Sequence, residues 1–262
     1  PLAKAGARVA RSAREVADQA TAVFVSLPAP AILREVSLGA NSIAMGKKAK
    51  IVVDLSTTGS AIEKEVAAGL AKKRITLIDA PVSGGATGAA KGTLAVMVAG
   101  KSTAVAQVSD PLAVLGKLFV VGNTPGQAQF MKLLNNLLSQ SALAMSLEAL
   151  VAGVKAGLDP DVMMDVINVS SGRSAASQEK FVRQVLPRTF DFGFPISSIC
   201  KDISLAIEEC EALGVPMWVG SQARQLWKFA LKQDGAGKDM TELVTYLEQW
   251  SGADPPPPVK KG

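Results

Sequence analysis

Lys50-Ile-Val-Val-Asp-Leu-Ser56 is the stretch that decides the fold of this 262-residue chain. Its centre is apolar and β-branched, which is typical of a strand buried on both faces of a sheet. Similar runs recur through the first half of the chain, and segments with a helical pattern separate them. The predicted strands are residues 21–27, 50–56, 75–83, 94–100 and 118–122. Because strands alternate with helices, the sequence predicts an α/β domain with a mostly parallel sheet.

Two capping boxes predict helix starts in this domain, and one short loop predicts how two of its strands pair. Ser12-Ala-Arg-Glu15 and Ser60-Ala-Ile-Glu63 each place a hydroxyl three residues before a glutamate, which predicts the start of a helix. The run 94–100 follows the run 75–83 after only a glycine-rich loop. A parallel crossover needs a longer connection, so these two runs are predicted to pair antiparallel.

The second half of the chain has a helical pattern throughout. Thr124-Pro-Gly-Gln127 has the residues of a helix N-terminus, and this helix is expected to run to about Lys155 before Gly157 ends it. It is apolar nearly all round, as expected of a helix buried between domains. Further helices are predicted near residues 159–170, 175–186, 197–213, 216–233 and 239–250.

These patterns predict a two-domain organisation. Residues 1–123 form the α/β domain, and residues 124–252 form an all-helical domain that starts with the long helix. Residues 253–262 are rich in proline and lysine and are predicted to be a disordered tail.

Composition argues against several classes of function. Hydrophobic residues make up 48% and charged residues 19% of the chain, which indicates a globular protein. The net charge of +5 comes from scattered basic residues, so no nucleic-acid partner is expected. No uninterrupted apolar run reaches the roughly 18 residues of a membrane span, so no membrane partner is expected either. Cys200 and Cys210 are too few for a disulfide framework or a zinc cluster, which fits a reducing, cytoplasmic location and no metal site.

Lys132 is the first candidate for chemistry. It lies near the start of the long apolar helix, and no Asp or Glu occurs between Asp110 and Glu148. A desolvated lysine has a lowered pKa and can transfer protons near neutral pH. The chain contains no histidine, which is the usual proton carrier. The alternative is a lysine whose stem packs on the helix while its ammonium group reaches solvent.

Three further segments contain residue types that bind anions or hydroxyl groups. The glycines of Ser83-Gly84-Gly85 allow the backbone to approach a carboxylate, although an ordinary turn has the same composition. Asn136 lies four residues after Lys132 and shares its helix face, a spacing that is also common by chance. Lys201-Asp202 begins a predicted helix, where a solvent-exposed charged pair is the simpler interpretation.

The order of these segments is more specific than any one of them. Along the chain come Asp79-Ala-Pro-Val-Ser-Gly-Gly85, Gly92-Thr-Leu-Ala-Val-Met-Val-Ala-Gly100, Gly126 with Lys132 and Asn136, and Lys201-Asp-Ile-Ser-Leu-Ala206. In this order they resemble the β-hydroxyacid dehydrogenase family, which includes 3-hydroxyisobutyrate dehydrogenase, tartronate semialdehyde reductase and 6-phosphogluconate dehydrogenase. The resemblance covers roughly residues 1–250. It implies a Rossmann-type domain, a long inter-domain helix and an all-α domain.

The resemblance also implies a role for each matching residue. Lys132 matches the catalytic lysine, and Asn136 matches the asparagine that orients the substrate. Ser83, Gly84 and Gly85 match the loop that binds the substrate carboxylate. The implied cofactor is NAD or NADP. The residues that match its contact positions are Leu27, Pro28, Ser56 and Lys201.

The chain departs from the family pattern in two places. The family opens with a strand, a Gly-x-Gly-x-x-Gly phosphate loop, a helix and a second strand, and these residues are not in this sequence. The resemblance therefore implies an N-terminally truncated Rossmann-type domain, without the position that distinguishes NAD from NADP. In addition, Ala128 replaces the second glycine of the family's Gly-x-Gly-x-x-x-Lys pattern, which is expected to narrow the approach to the ligand slightly.

The expected function is the NAD(P)-dependent interconversion of a small β-hydroxyacid and its semialdehyde or keto form, with Lys132 as general acid and base. One alternative is a non-catalytic remnant or fragment that cannot bind dinucleotide, which the missing phosphate loop suggests. Another is an imine-reducing relative on the same fold, against which Lys132 argues. Side chains near residues 168–174 and 190–194 are expected to select the hydroxyacid.

The expected partners are a small carboxylate substrate and further copies of the chain. The family resemblance implies a homodimer or a homotetramer. The long apolar helix and the tryptophan-bearing helices suggest more apolar surface than a monomer would bury. The alternative is that all three tryptophans lie in the core, namely Trp218, Trp227 and Trp250.

Overall fold

A computed structural model describes residues 2–256 of the chain. They divide into two compact units, Pro1–Leu133 and Leu134–Gly262. The first unit contains a mixed six-stranded sheet with helices, and the second unit is helical. The predicted fold class, a Rossmann-type domain followed by a long helix and an all-α domain, is confirmed. Of the predicted disordered tail, residues 253–256 have no regular secondary structure, and the remainder lies outside the described residues.

The sheet contains all five predicted strands, one of them divided in two. Its strands are β1 Ala22–Val25, β2 Ile51–Asp54, β3 Thr76–Asp79, β4 Val82–Ser83, β5 Leu94–Ala99 and β6 Gly116–Gly122. The strand order is β1-β2-β3-β5-β4, and β6 pairs with β5. Pairing is parallel from β1 to β3, while β5 is antiparallel to β3, as predicted. Pro81 lies within the predicted strand 75–83 and has no N–H for the ladder, which accounts for the break between β3 and β4.

The register of the parallel strands aligns their carboxyl ends. Val25 at the end of β1 lies opposite Asp54 at the end of β2, which in turn lies opposite Asp79 at the end of β3. The loops that follow these strands therefore leave the sheet at one edge. Ligands of doubly wound sheets bind at this edge.

The helices of the first unit cover both faces of the sheet. They are α1 Ala13–Gln19, α2 Pro30–Leu38, α3 Ser60–Ala71, α4 Gly85–Lys91 and α5 Ser102–Leu115. Successive side chains of β2 point to opposite faces, so Val52 packs with Leu70 of α3, while Val53 packs with Leu112 of α5. This double burial is what the apolar sequence of β2 predicts.

Of the two predicted capping boxes, only the serine cap of the first forms, whereas the Glu15 carboxylate accepts from the N–H of Arg11, and the second box is wrong. The hydroxyl of Ser12 caps α1 by accepting a hydrogen bond of 3.2 Å from the N–H of Glu15. In α3, by contrast, Ser60 is the first helical residue, and the N-cap is Gly59 with φ of 95°. Glu63, in the first turn of this helix, is fully buried. Tertiary packing of Glu63 thus replaces the local cap that the sequence pattern predicts.

The long helix α6, Gln127–Lys155, begins in the first unit and continues into the second. It starts two residues after the predicted position at Pro125 and ends where predicted, before Gly157 at φ of 86°. By length and composition alone it could cross a membrane, because its most apolar 18-residue segment has a mean hydropathy of 1.5. The core helix of a soluble protein passes the same test, and 44% of that segment is buried inside the protein.

The remaining helices follow the predicted segments closely. They are α7 Pro160–Val169, a π-helix Ala176–Val185, α8 Ile196–Ala212, α9 Trp218–Gln233, a 3-10 turn Met240–Glu242 and α10 Leu243–Ser251. The only β pairing within residues 123–256 is an isolated bridge between Pro195 and Asp239. Trp227 is fully buried, whereas Trp218 is 81% exposed and Trp250 is 38% exposed. The interpretation of all three tryptophans as core residues is therefore wrong.

Candidate active site

The loops after β1 and β2 are joined by a hydrogen bond between two predicted cofactor positions. The N–H of Leu27 donates to the hydroxyl of Ser56 at 2.8 Å. Ser56 is itself held by the strand that precedes it, because its N–H donates to the carboxylate of Asp54 at 2.9 Å. The two loops thus form one structure at the carboxyl edge of the sheet, with Pro28 directly after Leu27 in the chain.

The predicted carboxylate loop lies where β4 passes into α4. Ser83 is half-buried at the end of β4, and Gly84 and Gly85 are exposed. Both glycines have positive φ, 132° for Gly84 and 64° for Gly85. A Cβ atom on Gly84 would also lie 3.0 Å from the Leu94 side chain. This turn therefore requires glycine at position 84 for both backbone conformation and space.

The first turn of α6 is attached to the sheet by Asp79. One oxygen of its carboxylate accepts hydrogen bonds from the backbone N–H groups of Gly126, Ala128 and Gln129, at 2.8, 3.0 and 3.1 Å. Ala128 is fully buried and packs with Met97 and Ala99 of β5. The prediction that Ala128 narrows the approach to a ligand is therefore wrong, because its methyl group packs in the core.

Gln129 links the same turn to the loop after β2. Its side-chain oxygen accepts hydrogen bonds from the N–H groups of Thr58 at 3.0 Å and Gly59 at 3.3 Å. Its side-chain nitrogen donates to the carbonyl oxygen of Ser56 at 3.0 Å. The helix that carries Lys132 is thus connected directly to a predicted cofactor residue.

Lys132 lies one residue before the boundary between the two units and is only 7% exposed. Burial at this level removes most of the water that would otherwise solvate its ammonium group. The interpretation of a lysine that extends into solvent does not fit this burial. A desolvated amine suits a residue that must exchange a proton with a ligand.

The second unit brings Asn136 and Lys201 together through Asp202. The side-chain amide of Asn136 donates a hydrogen bond of 2.7 Å to one oxygen of the Asp202 carboxylate. The other oxygen lies 2.7 Å from the ammonium group of Lys201. Asp202 is almost fully buried, so the Lys201-Asp202 pair is not the solvent-exposed pair that the sequence alone favours.

Three carboxyl groups meet beneath the loop after β2. Burial and the charges of Asp54 and Asp79 raise the pKa of Glu63 well above its ordinary value. Burial also raises the pKa of Asp54, and it raises the pKa of Asp79 to about 7 against the effect of the three N–H donors. Among the described residues, Glu63 has no donor for either oxygen. Glu63 is therefore the member of the cluster that most favours the protonated form.

Sequence reasoning missed three residues that organise these groups, namely Asp79, Gln129 and Asp202. Asp79 is the first residue of the Asp-Ala-Pro-Val-Ser-Gly-Gly segment, and Asp202 follows Lys201 directly. Both therefore lie inside segments that carry the family resemblance. Their partners lie 47 to 66 residues away in the chain, and no local spacing indicates such contacts. Gln129 had no sequence signal beyond its place in the turn before Lys132.

Comparison with known proteins matches both halves of the chain. The family model for the NAD-binding domain of 6-phosphogluconate dehydrogenase matches residues 1–122. The family model described as NAD-binding of NADP-dependent 3-hydroxyisobutyrate dehydrogenase matches residues 126–247. The chain belongs to the β-hydroxyacid dehydrogenase family. Members of this family are NAD(P)-dependent oxidoreductases, so the family resemblance and the expected cofactor class are both confirmed.

Individual relatives support the same assignment. The 2-(hydroxymethyl)glutarate dehydrogenase of Eubacterium barkeri is 34% identical, over 94% of this chain and 82% of its own length. The mitochondrial 3-hydroxyisobutyrate dehydrogenase of Mus musculus is 31% identical, over 94% of this chain and 76% of its own length. A solved structure of the Mycobacterium tuberculosis 3-hydroxyisobutyrate dehydrogenase with L-serine has a TM-score of 0.78 and 29% identity, covering 90% of this chain and 82% of that one. Because matches extend over both units, they do not favour the alternative of a non-catalytic remnant.

Proposed function

We propose that this chain interconverts a small β-hydroxyacid and its semialdehyde or keto form, with Lys132 as the general acid and base. The observation that carries the proposal is the burial of Lys132 on a helix whose first turn is bonded to the Ser56 loop. Lys132 takes the proton of the substrate hydroxyl in oxidation and returns it in reduction. The absence of histidine leaves the lysine as the suitable proton carrier of this chain.

The other residues hold the substrate for this proton transfer. Asn136 orients the hydroxyl group, and its amide cannot rotate freely because Asp202 accepts its hydrogen bond. Ser83, Gly84 and Gly85 bind the substrate carboxylate, which the exposed glycines with positive φ allow to approach the backbone. Fixing the hydroxyl and the carboxylate together restricts the substrate to one reactive orientation.

The residues present fit the nicotinamide end of NAD or NADP. The family resemblance assigns contacts with it to Leu27, Pro28 and Ser56, in the joined loops at the carboxyl edge of the sheet, and to Lys201, in α8. When bound, the cofactor supplies a hydride acceptor or donor at nicotinamide C4. The Gly-x-Gly-x-x-Gly phosphate loop of the family is not among the residues of this sequence. The affinity for the whole dinucleotide is therefore the first property to measure.

Calorimetric titration with NAD⁺ and NADP⁺, followed by a panel of β-hydroxyacids in a dehydrogenase assay, tests the proposed function. Micromolar binding of one dinucleotide and its reduction with at least one β-hydroxyacid are expected. Absence of both binding and turnover would support the remnant alternative. Reduction of a cyclic imine without oxidation of any hydroxyacid would support the imine-reducing alternative.

We also propose that the chain is a soluble, cytoplasmic protein that forms a homodimer or a homotetramer. The buried free thiols of Cys200 and Cys210 fit a reducing compartment. The helical unit exposes large apolar side chains, which support self-association: Leu138, Met145, Trp218 and Val219. Light scattering after gel filtration tests this, and a monomer at micromolar concentration would contradict it.

A further inference from the structure

We propose that Asp79 and Gln129 are positioning residues for Lys132, because they fix the first turn of the helix that carries it. This inference rests on the proposed function of Lys132. Neither residue is assigned a contact with substrate or cofactor. Their role is to hold the lysine amine at the place where the proton is transferred.

The first contribution comes from the charge of Asp79. The N–H groups in the first turn of a helix have no partner within the helix. In α6, the Asp79 carboxylate accepts three of them, from Gly126, Ala128 and Gln129. Anions are favoured at this end of a helix by its dipole. The end of β3 and the start of α6 are therefore joined by three charge-assisted hydrogen bonds.

The second contribution comes from the amide of Gln129. Its side chain makes three hydrogen bonds with the loop after β2, two accepted from Thr58 and Gly59 and one donated to Ser56. The first turn of α6 is thus held by two strand ends that lie side by side in the sheet. Rotation or translation of this turn would break bonds on both sides.

The distance from this turn to Lys132 is short. In an α-helix the N–H of residue 132 bonds to the carbonyl of residue 128, so Lys132 stands one turn, about 6 Å, beyond Ala128. A shift of the first turn is therefore transmitted directly to the lysine. Misplacing a catalytic group by about 1 Å can lower a rate by about 10²-fold.

Within the carboxyl cluster, Asp79 is the group that is bonded to the helix start. Three buried carboxylates cannot all be charged at close range. Glu63 has no donor among the described residues, while Asp79 has three N–H donors on one oxygen. A proton is therefore favoured on Glu63, while the three N–H donors favour a negative charge on Asp79 next to the helix start.

The test uses Asp79→Ala and Asp79→Asn, with Glu63→Gln as the matched control. Asp79→Ala is expected to lower kcat by about 10²-fold, because the helix start is released, while KM changes less than about threefold. Asp79→Asn should regain only part of this loss, because its amide oxygen can still accept from the N–H groups but carries no charge. Glu63→Gln changes an equally buried carboxyl of the same cluster that has no bond to α6, and its kcat should equal that of the wild type.

A second readout does not depend on turnover. Hydrogen exchange of the backbone amides of residues 126–129 should be faster in Asp79→Ala than in the wild type, and Lys132 should become more reactive toward an amine-reactive reagent. If Asp79→Ala does not fold, Gln129→Leu tests the positioning role instead. This variant should also lower kcat, because it removes the bonds between the first turn of α6 and the loop after β2. Wild-type kcat and unchanged amide exchange in a folded variant would overturn the inference.

Lys132→Ala separates this inference from the proposed function. If Lys132→Ala is inactive while folded Asp79→Ala is fully active, only the positioning role is wrong. If Lys132→Ala is active, the role of the lysine itself is wrong, and the positioning role falls with it.

Discussion

The side-chain amide of Asn136 donates a hydrogen bond of 2.7 Å to the buried carboxylate of Asp202. We predict that the two residues act as a unit, because Asp202 fixes the amide that orients the substrate hydroxyl. Asn136→Ala and Asp202→Ala should each lower kcat/KM, and the double variant should lose much less than the product of the single losses. A coupling of about 0.5–3 kcal/mol is typical of residues in direct contact. Strictly multiplicative losses in the double-mutant cycle would show that the contact has no part in catalysis.

Gly84 gives a prediction for substrate binding. Gly84→Ala should raise KM for the hydroxyacid by about tenfold or more, a loss of about 1.4 kcal/mol, because the new Cβ atom would meet the Leu94 side chain at 3.0 Å and strain a φ of 132°. Gly214→Ala is the control. Gly214 also has positive φ, 76°, but a Cβ atom there meets no neighbour within 4 Å. The control should lose some stability and keep its KM, and a KM change of equal size in both variants would contradict the assignment of the loop.

Two bidentate ion pairs of different burial give a prediction for stability. Arg188 and Glu248 are 18% and 8% exposed at their side chains, whereas Arg34 and Glu65 are 52% and 48% exposed. Glu248→Ala should destabilise the protein by about 1.5–3 kcal/mol, because it leaves a part-buried guanidinium without its partner. Glu65→Ala should cost much less, because solvent screens the exposed pair. Urea unfolding of both variants checks this, and equal losses would contradict it.

Glu63 gives a prediction for the pH dependence of stability. Its pKa is raised in the folded protein, mainly by burial, so the folded state holds a proton that the unfolded state releases. The stabilisation is complete below the ordinary pKa of a glutamate and is lost as the pH rises through the folded pKa. Glu63→Gln should therefore gain stability relative to the wild type as the pH increases from 5 to 8, roughly the range above the ordinary pKa near 4.3.

Glu65→Gln on the same helix is the control for this experiment. The pKa of Glu65 is lowered in the folded protein, mainly by its hydrogen bond to Arg34. The difference between Glu65→Gln and the wild type should therefore stay constant in the neutral range. A constant difference for Glu63→Gln as well would show that Glu63 is not protonated in the folded protein.

The parts of the fold that could be predicted are those that depend on residues close together in the sequence. The strands around Val53 and Val96 are continuous apolar runs, and the cap of α1 by Ser12 depends on a residue only three positions away. The start of α6 and the burial of Glu63 depend instead on residues that are distant in the chain. Asp79 caps α6 from 47 residues away, and no periodicity or local spacing indicates this.

In the candidate site, too, local sequence patterns were predictable and long-range contacts were not. The order of motifs predicted Lys132, Asn136, Ser83 and Lys201 as a set. Two carboxylates near this set were not predicted: Asp202, which contacts the side chains of Asn136 and Lys201, and Asp79, which is bonded to the start of α6. A buried aspartate looks the same in sequence as an exposed one. Tertiary contacts of Asp79 and Asp202 decide their roles.

The most direct test of the account is the rate of hydride transfer in a single turnover of Lys132→Ala, measured by the absorbance of the reduced nicotinamide. Loss of a general acid and base should lower this rate by about 10² to 10⁴-fold, while dinucleotide binding and the unfolding temperature stay near wild type. Lys155→Ala, at the exposed end of the same helix, should keep the wild-type rate. A folded Lys132→Ala variant whose hydride-transfer rate matches that of Lys155→Ala would contradict the account.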